Sequence, residues 1–143
     1  MKLKIKRFDK SLPLPEHKTK GAVAVDLCSR IDIEIKPQEI AYIPMNVAIE
    51  IPDGYFIISV PRSSTHKLGL SAPNSMGIVD RDYCGDNDEY FFVAYNFTNN
   101  VVKVDKGTRL CQLLLIKCEN FDFEEVDKMD SVSRGGFGTT GVK

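Results

Sequence analysis

The feature that most constrains this chain is its hydrophobic period. Apolar and polar residues alternate in short runs, and almost nothing repeats at helical spacing. The alternating runs span residues 3–7, 22–27, 31–35, 40–43, 47–51, 55–60, 90–97, 101–104, 110–116 and 121–125. Successive side chains of a strand face opposite sides, so each run offers one face to a core and one to solvent. Turn formers separate them: Lys36-Pro37, Pro52-Asp53-Gly54, Asn99-Asn100 and Asp105-Lys106-Gly107. Many short strands with so little helix predict an all-β antiparallel sandwich or barrel. One helical turn is expected over residues 63–68, after Pro61 and before Gly69, with serines where caps belong. Tyr90-Phe91-Phe92-Val93 and Leu113-Leu114-Leu115-Ile116 are apolar on both faces, which suits strands buried between sheets or between subunits.

A chain of 143 residues has the size of one domain and can bury a core without disulfides. Its 43% hydrophobic and 27% charged content match a soluble globular protein. No apolar run approaches the about 18 residues that span a bilayer. The start, Met1-Lys2-Leu3-Lys4-Ile5-Lys6, alternates and reads as a strand rather than a leader, so a cytoplasmic location without membrane association is expected. The net charge of −1 leaves no global basic field, so direct nucleic-acid binding is not expected, and any anionic ligand must be handled by local groups. Cys28, Cys84, Cys111 and Cys118 form no C-x-x-C pair, and only two histidines accompany them. That spacing argues against zinc and for reduced thiols. Composition shifts only near the end. Residues 1–129 read as a single domain, and 130–143 as a polar, glycine-rich tail that cannot build core and is expected to be mobile when empty.

Within this frame a few residues carry chemistry. In the run from Asn74 to Asp86, Ile78 and Val79 deliver a lone carboxylate, Asp80, into a turn; Tyr83 follows and Gly85 closes the segment. Flanking hydrophobics suggest two strand edges joined by a tight hairpin, with Asp80 and Tyr83 in one concavity. A carboxylate and a phenol beside exposed amides make a pocket for a flat, hydrogen-bonding ligand. Pro61-Arg62-Ser63-Ser64 places two hydroxyls and a cation at a turn suited to an anion. Gln112 sits in an apolar strand, where an unpaired buried amide costs roughly 1–3 kcal/mol, so it needs partners. Asp26 sits in another strand, where most aspartates face solvent. In the tail, glycines let amides approach phosphate oxygens, Thr139 and Thr140 add donors, Arg134 offers a bidentate fork, and Phe137 offers a face for a base. It is not a P-loop, having no G-K-[ST] and no following helix.

Five blocks stand in order: V-A-V-D-L-C-S (residues 23–29), P-R-S-S (61–64), G-I-V-D-R-D-Y-C-G-D (77–86), G-T-R-L-C-Q-L (107–113) and R-G-G-F-G-T-T-G (134–141). In sequence and spacing they resemble the five motifs of the trimeric dUTP pyrophosphatase (dUTPase) family of phage and bacterial type. The third and fifth blocks are the specific ones. The resemblance implies a distorted, jelly-roll-like antiparallel β-barrel that hydrolyses dUTP to dUMP and pyrophosphate with Mg²⁺. That activity would limit uracil in DNA and supply dUMP for thymidylate synthesis. It implies a catalytic group of Asp80, Arg62 and Gln112. Asp80 would activate the water, Arg62 would help position Asp80 across a subunit boundary, and Gln112 would meet the α-phosphate. It assigns Ser63 and Ser64 to the phosphates, and Asn74, Gly77, Val79, Tyr83 and Asp86 to the nucleoside. Main-chain groups there would pair with uracil, and Tyr83 would exclude a 2′-hydroxyl. Arg134, Phe137, Gly138, Thr139 and Thr140 would form a lid with Phe137 over the base, and Asp26 would reach the metal through a water. It further implies a homotrimer in which motifs one, two and four come from one subunit, three from a second and five from the third. Two departures stand out: Ala24 where glycine is common, and a fifth motif two residues shorter than the usual form.

Two other readings share the fold. A dCTP deaminase would activate water at the base with a glutamate, but the segment around Asp80 matches the pyrophosphatase pattern. A nucleotide-gated protein that switches a regulatory partner would use the order and disorder of the tail. Lysine exceeding arginine, with many isoleucines and asparagines, hints at an AT-rich bacterial or phage gene.

Overall fold

The computed structural model describes residues 1–139 and 141. The strands, in chain order, are β1 (Ile5–Arg7), β2 (Val25–Cys28), β3 (Ile33–Ile35), β4 (Ile40–Pro44), β5 (Val47–Ile49), β6 (Tyr55–Pro61), β7 (Leu70–Ser71), β8 (Gly77–Val79), β9 (Phe91–Asn96), β10 (Val102–Val104) and β11 (Arg109–Lys117). A single 3₁₀ turn, Thr65–Leu68, is the only helix among the described residues. No helix there is long and apolar enough to cross a membrane. The strands assemble as a four-stranded sheet β2-β11-β6-β8, a three-stranded sheet β4-β9-β7 and two ribbons, β1-β5 and β10-β3, all antiparallel. This is the all-β, jelly-roll-like barrel that the alternation and motifs predict.

β11 is the spine, with β2 on one edge and β6 on the other. A bulge between Arg109 and Cys111 shifts its register against β2. Strict alternation would put Leu110 with Gln112 on one face and Cys111 with Leu113 on the other. The bulge instead buries the neighbours Leu110 and Cys111 together, both at 0% exposure. They join Leu27, Ile35, Ile43, Met45, Val47, Leu70 and Val104 in one core, each such side chain contributing roughly 1.5–3 kcal/mol on burial. Asn96, also fully buried, ties β9 to β3. Its Nδ2 donates to the carbonyls of Ile35 (2.9 Å) and Asn100 (2.7 Å), and its Oδ1 accepts from the N–H and hydroxyl of Thr98. A fully satisfied amide costs little where an unsatisfied one would be expensive.

Three expectations need correction, and one element was not foreseen. The strand expected over 121–125 does not form: Phe121 and Phe123 are 75% and 91% exposed, and their rings pack against each other, edge to face. Alternation supplies a face, but a strand also needs a pairing partner, and no described strand pairs with this segment. The hairpin expected between Val79 and the next strand is absent as well. β8 pairs with β6, and β9 pairs with β4 and β7, so residues 80–90 cross from one sheet to the other. The loop closes on itself, the Tyr83 N–H donating to the Asp80 carbonyl (3.2 Å) and the Gly85 N–H to the Asp88 carboxylate (2.6 Å). A Cβ on Gly85 would stand 2.8 Å from that carboxylate, so a larger residue there would require the Asp88 side chain to shift. The helical turn starts at Thr65 rather than residue 63, and Ser64, at its cap position, makes no side-chain capping bond. Thr65 does the anchoring: its buried hydroxyl donates to the Leu110 carbonyl (2.6 Å) and accepts from the Arg62 N–H (3.0 Å). Finally, β7 was not anticipated, since two residues carry no period to read.

Candidate active site

The first cluster forms at the end of β8. Gly77, Ile78 and Val79 lie opposite Ser59, Ile58 and Ile57 of β6, which delivers Asp80 to the sheet edge. A cavity of about 300 Å³ opens there, lined by Ser59, Gly77, Val79, Asp80, Tyr83, Glu89 and Phe91 among others. Asp80 is exposed, and its carboxylate bonds to no other group among the described residues. Tyr83 is held at both ends. Its ring stacks on Tyr90, centroids 6.2 Å apart, and its hydroxyl donates to the Glu89 carbonyl at 3.1 Å. Tyr90 is 4% exposed, and desolvation pushes its phenol upward, so it stays neutral. Phe91, half exposed on the rim, puts a second aromatic beside the cavity that motif reading did not single out.

The second cluster forms where β2, β6 and β11 meet. Asp26 of β2 is the cross-strand neighbour of Gln112. The Asp26 side chain is 16% exposed, with Arg62 Nε and Arg109 Nη1 each 3.0 Å from its Oδ2. Two guanidinium groups around one carboxylate leave net positive charge at this corner. The Gln112 Nε2 donates to the Pro61 carbonyl at 3.3 Å, the partner its position demanded. Ser63 is exposed and Ser64 half-buried, and neither hydroxyl is used by the fold among the described residues. Lys18 lines a cavity of about 350 Å³ with Asp26 and Gln112, and an adjoining one of about 410 Å³ with Asp26 and Arg109. Among the described residues its ammonium is held by exposed Glu16 alone, 2.8 Å away, which lowers the Glu16 pKa. Lys18 escapes sequence reasoning because a lysine in a loop has no distinguishing pattern, while Arg109 stands inside the fourth block without an assigned role there.

The other expected residues lie apart. Asp86 pairs with Lys6 (2.7 Å) beside Cys84 and Gly85, outside the Tyr83 cavity, and Asn74 sits exposed before β8. Arg62, expected to position Asp80, contacts Asp26 within the chain. In the tail, Thr139 Oγ1 accepts from the Gly136 N–H at 2.9 Å, Gly138 has φ +88°, and Arg134 is exposed. Phe137 has φ +50° and is fully exposed, touching neither cluster. Thr140 lies outside the described residues. All four cysteines are free. Burial pushes the Cys111 thiol up to about 12.

Fold and site together define a jelly-roll-like barrel with a carboxylate-and-phenol cavity at one sheet edge and an arginine-flanked carboxylate at another. The dUTPase family model matches residues 10–141. The SPbeta prophage-derived deoxyuridine 5′-triphosphate nucleotidohydrolase of Bacillus subtilis is 41% identical, with 100% of both chains covered. The deoxyuridine 5′-triphosphate nucleotidohydrolase of Dictyoglomus turgidum is 39% identical, covering 96% of this chain and 97% of its own. The solved Staphylococcus bacteriophage 80alpha dUTPase with dUPNHPP superposes with a TM-score of 0.85 at 24% identity over 99% of each chain, a likeness of fold. The chain belongs to the dUTPase family.

Proposed function

We propose that this protein is a dUTP diphosphatase that hydrolyses dUTP to dUMP and pyrophosphate by attack of water on the α-phosphorus. Family membership supports the activity, and the relatives named above are deoxyuridine 5′-triphosphate nucleotidohydrolases. It also favours this reading over a deaminase. The observation that carries it is Asp80, an unpaired carboxylate on the rim of a cavity whose wall is a pinned phenol. About 300 Å³ is at the small end of ligand pockets and suits a nucleoside whose phosphates extend outward. Asp80 orients the water and takes its proton as the new oxygen–phosphorus bond forms, a role worth roughly 10²–10⁴-fold. The bond from the α-phosphorus to the bridging oxygen breaks, and pyrophosphate leaves.

Gln112 and the serines receive the phosphates, with Arg62 as the cation at that corner. Gly77 and Val79 present main-chain groups to uracil, with Asn74 and Asp86 flanking, and Tyr83 closes off the 2′ position. Arg134, Phe137, Gly138, Thr139 and Thr140 fold down as a lid. Residues 1–129 are the barrel and 130–143 the lid, and a homotrimer brings the separated clusters and the tail into one site. The donor set fits Mg²⁺ held chiefly by phosphates and water. No group of three or more potential ligands exists among the described residues, and Asp26 is the one carboxylate at this corner. Both guanidinium groups approach its Oδ2 most closely, and Asp26 would hold the metal at this corner through a water. When bound, the metal neutralises charge on the phosphate oxygens. In the cytoplasm this activity keeps uracil out of DNA and supplies dUMP for thymidylate synthesis.

The test is pyrophosphate release from dUTP, dCTP, dTTP and UTP, by the wild type and by Asp80→Asn, with and without Mg²⁺. Turnover is expected with dUTP alone, and the variant should bind nucleotide without turning it over. Near-normal turnover by the variant removes the mechanism, and equal rates on all four remove the specificity.

A further inference from the structure

The loop carrying Tyr83 re-enters the barrel through a buried carboxylate. The Glu89 side chain is 7% exposed and is gripped in bidentate fashion by Arg30, Nε to Oε1 at 2.8 Å and Nη2 to Oε2 at 2.9 Å. The Asn46 N–H donates to the same Oε1 at 2.9 Å. Asn46 has φ +70° and is itself locked to Asp9. Its Oδ1 accepts the Asp9 N–H (2.6 Å), and its Nδ2 donates to the Asp9 carbonyl (3.0 Å). On either side of this knot, the Met45 N–H donates to the Tyr90 carbonyl and the Tyr90 N–H to the Val47 carbonyl, both at 2.8 Å. The main-chain carbonyl of Glu89 accepts the Tyr83 hydroxyl. One residue therefore joins two systems: its carboxylate belongs to the barrel, and its carbonyl belongs to the wall of the cavity.

Stability alone does not call for such a pair, because well-packed apolar residues often replace a buried ion pair without loss. A bidentate fork gives what apolar packing lacks, a single orientation for the backbone that carries it. We infer that Arg30 and Glu89 are positioning residues for the nucleoside wall. They fix the Glu89 carbonyl, the carbonyl fixes the Tyr83 hydroxyl, and the Tyr83 ring is thereby held where a 2′-hydroxyl would have to enter. The pair thus sets discrimination between deoxyribose and ribose. This rests on reading the Tyr83 cavity as the nucleoside site.

The experiment compares kcat/KM for dUTP and UTP in full-length wild type, Arg30→Ala, Arg30→Lys and Glu89→Gln, with Tm recorded for each. Arg30→Ala and Glu89→Gln should lower the dUTP-to-UTP ratio by about tenfold, as expected when a positioned group is loosened. The dUTP change should appear mainly in KM. Arg30→Lys keeps the charge without the fork and should recover part of the ratio. Glu89→Gln preserves volume and the Asn46 contact, so it remains informative if Arg30→Ala does not fold. Variants that lose thermal stability but keep the wild-type ratio overturn the inference, leaving the pair purely structural. A wild type indifferent to the sugar overturns the nucleoside-site reading itself, and this inference with it.

Discussion

Asp26 offers the sharpest test of the site's electrostatics. Replacing it with Asn removes a negative charge that stands 3.0 Å from both Arg62 and Arg109 and leaves the two guanidinium groups facing each other. Removing one partner of a fully buried pair costs roughly 3–5 kcal/mol, whereas an exposed pair contributes about 0–1 kcal/mol. Here Asp26 is 16% exposed, Arg62 25% and Arg109 46%, which places the site between those limits. A loss of about 2 kcal/mol follows, or roughly a 6 °C fall in Tm for a chain of this length. A double-mutant cycle of Asp26→Asn and Arg62→Gln isolates the pair, with an expected coupling of about 1.5 kcal/mol that weakens in high salt. Urea denaturation at fixed protomer concentration measures it, since assembly would otherwise shift the midpoint. The same Asp26→Asn variant should need more Mg²⁺ for half-maximal turnover. A coupling within about 0.5 kcal/mol, the range of additive sites, would refute the claim that the carboxylate organises this corner.

Three further outcomes follow from the same geometry. Deleting residues 134–143 removes no strand among the described residues, so stability should change by under about 0.5 kcal/mol, while turnover falls by roughly 10²-fold or more as phosphate donors are lost; undiminished turnover would show that the tail is no lid. Lys18→Ala should raise KM for dUTP by about tenfold, the scale of one charge-assisted hydrogen bond partly screened by solvent, and an unchanged KM would leave Lys18 as nothing more than the partner of Glu16. For Cys111, the folded thiol sits at about 12, above its ordinary value of 9.0. A raised pKa means the folded state keeps a proton that the unfolded chain releases. The contribution is therefore complete below about pH 9 and declines as pH rises toward the folded value. Wild type should lose more stability than Cys111→Ala between about pH 8 and 10, with native alkylation reaching exposed Cys84 well before Cys111; equal pH slopes, or early labelling of Cys111, would contradict the burial.

Much of the architecture was readable because its cause is local. Strands at 40–44, 55–61, 91–96 and 109–117 announce themselves by period, and Pro-Asp-Gly and Asp-Lys-Gly by turn chemistry. Residues 121–125 have the same period yet form no strand, since a strand also requires a paired neighbour and no described strand pairs with them. The site divides along the same line. Asp80 and Tyr83 stand close in sequence and share a cavity; Asp26 and Gln112 belong to separate motifs, and only the β2–β11 register makes them neighbours. Arg30, Asn46 and Glu89 have no signature at all. Each is an ordinary polar residue until the fold brings Arg30 and Asn46 each within 3 Å of the Glu89 carboxylate.

What the sequence determined by itself is the class of fold, the family and the inventory of groups available for chemistry. These depend on residue type and spacing along the chain, and a one-dimensional pattern carries both. Which strand edges pair, where a bulge turns Leu110 inward, and which carboxylates are exposed for chemistry or tied to an arginine were decided only in three dimensions. Pairing and burial are competitions among distant segments for the same edges and the same dry volume, and their outcome depends on every competitor at once.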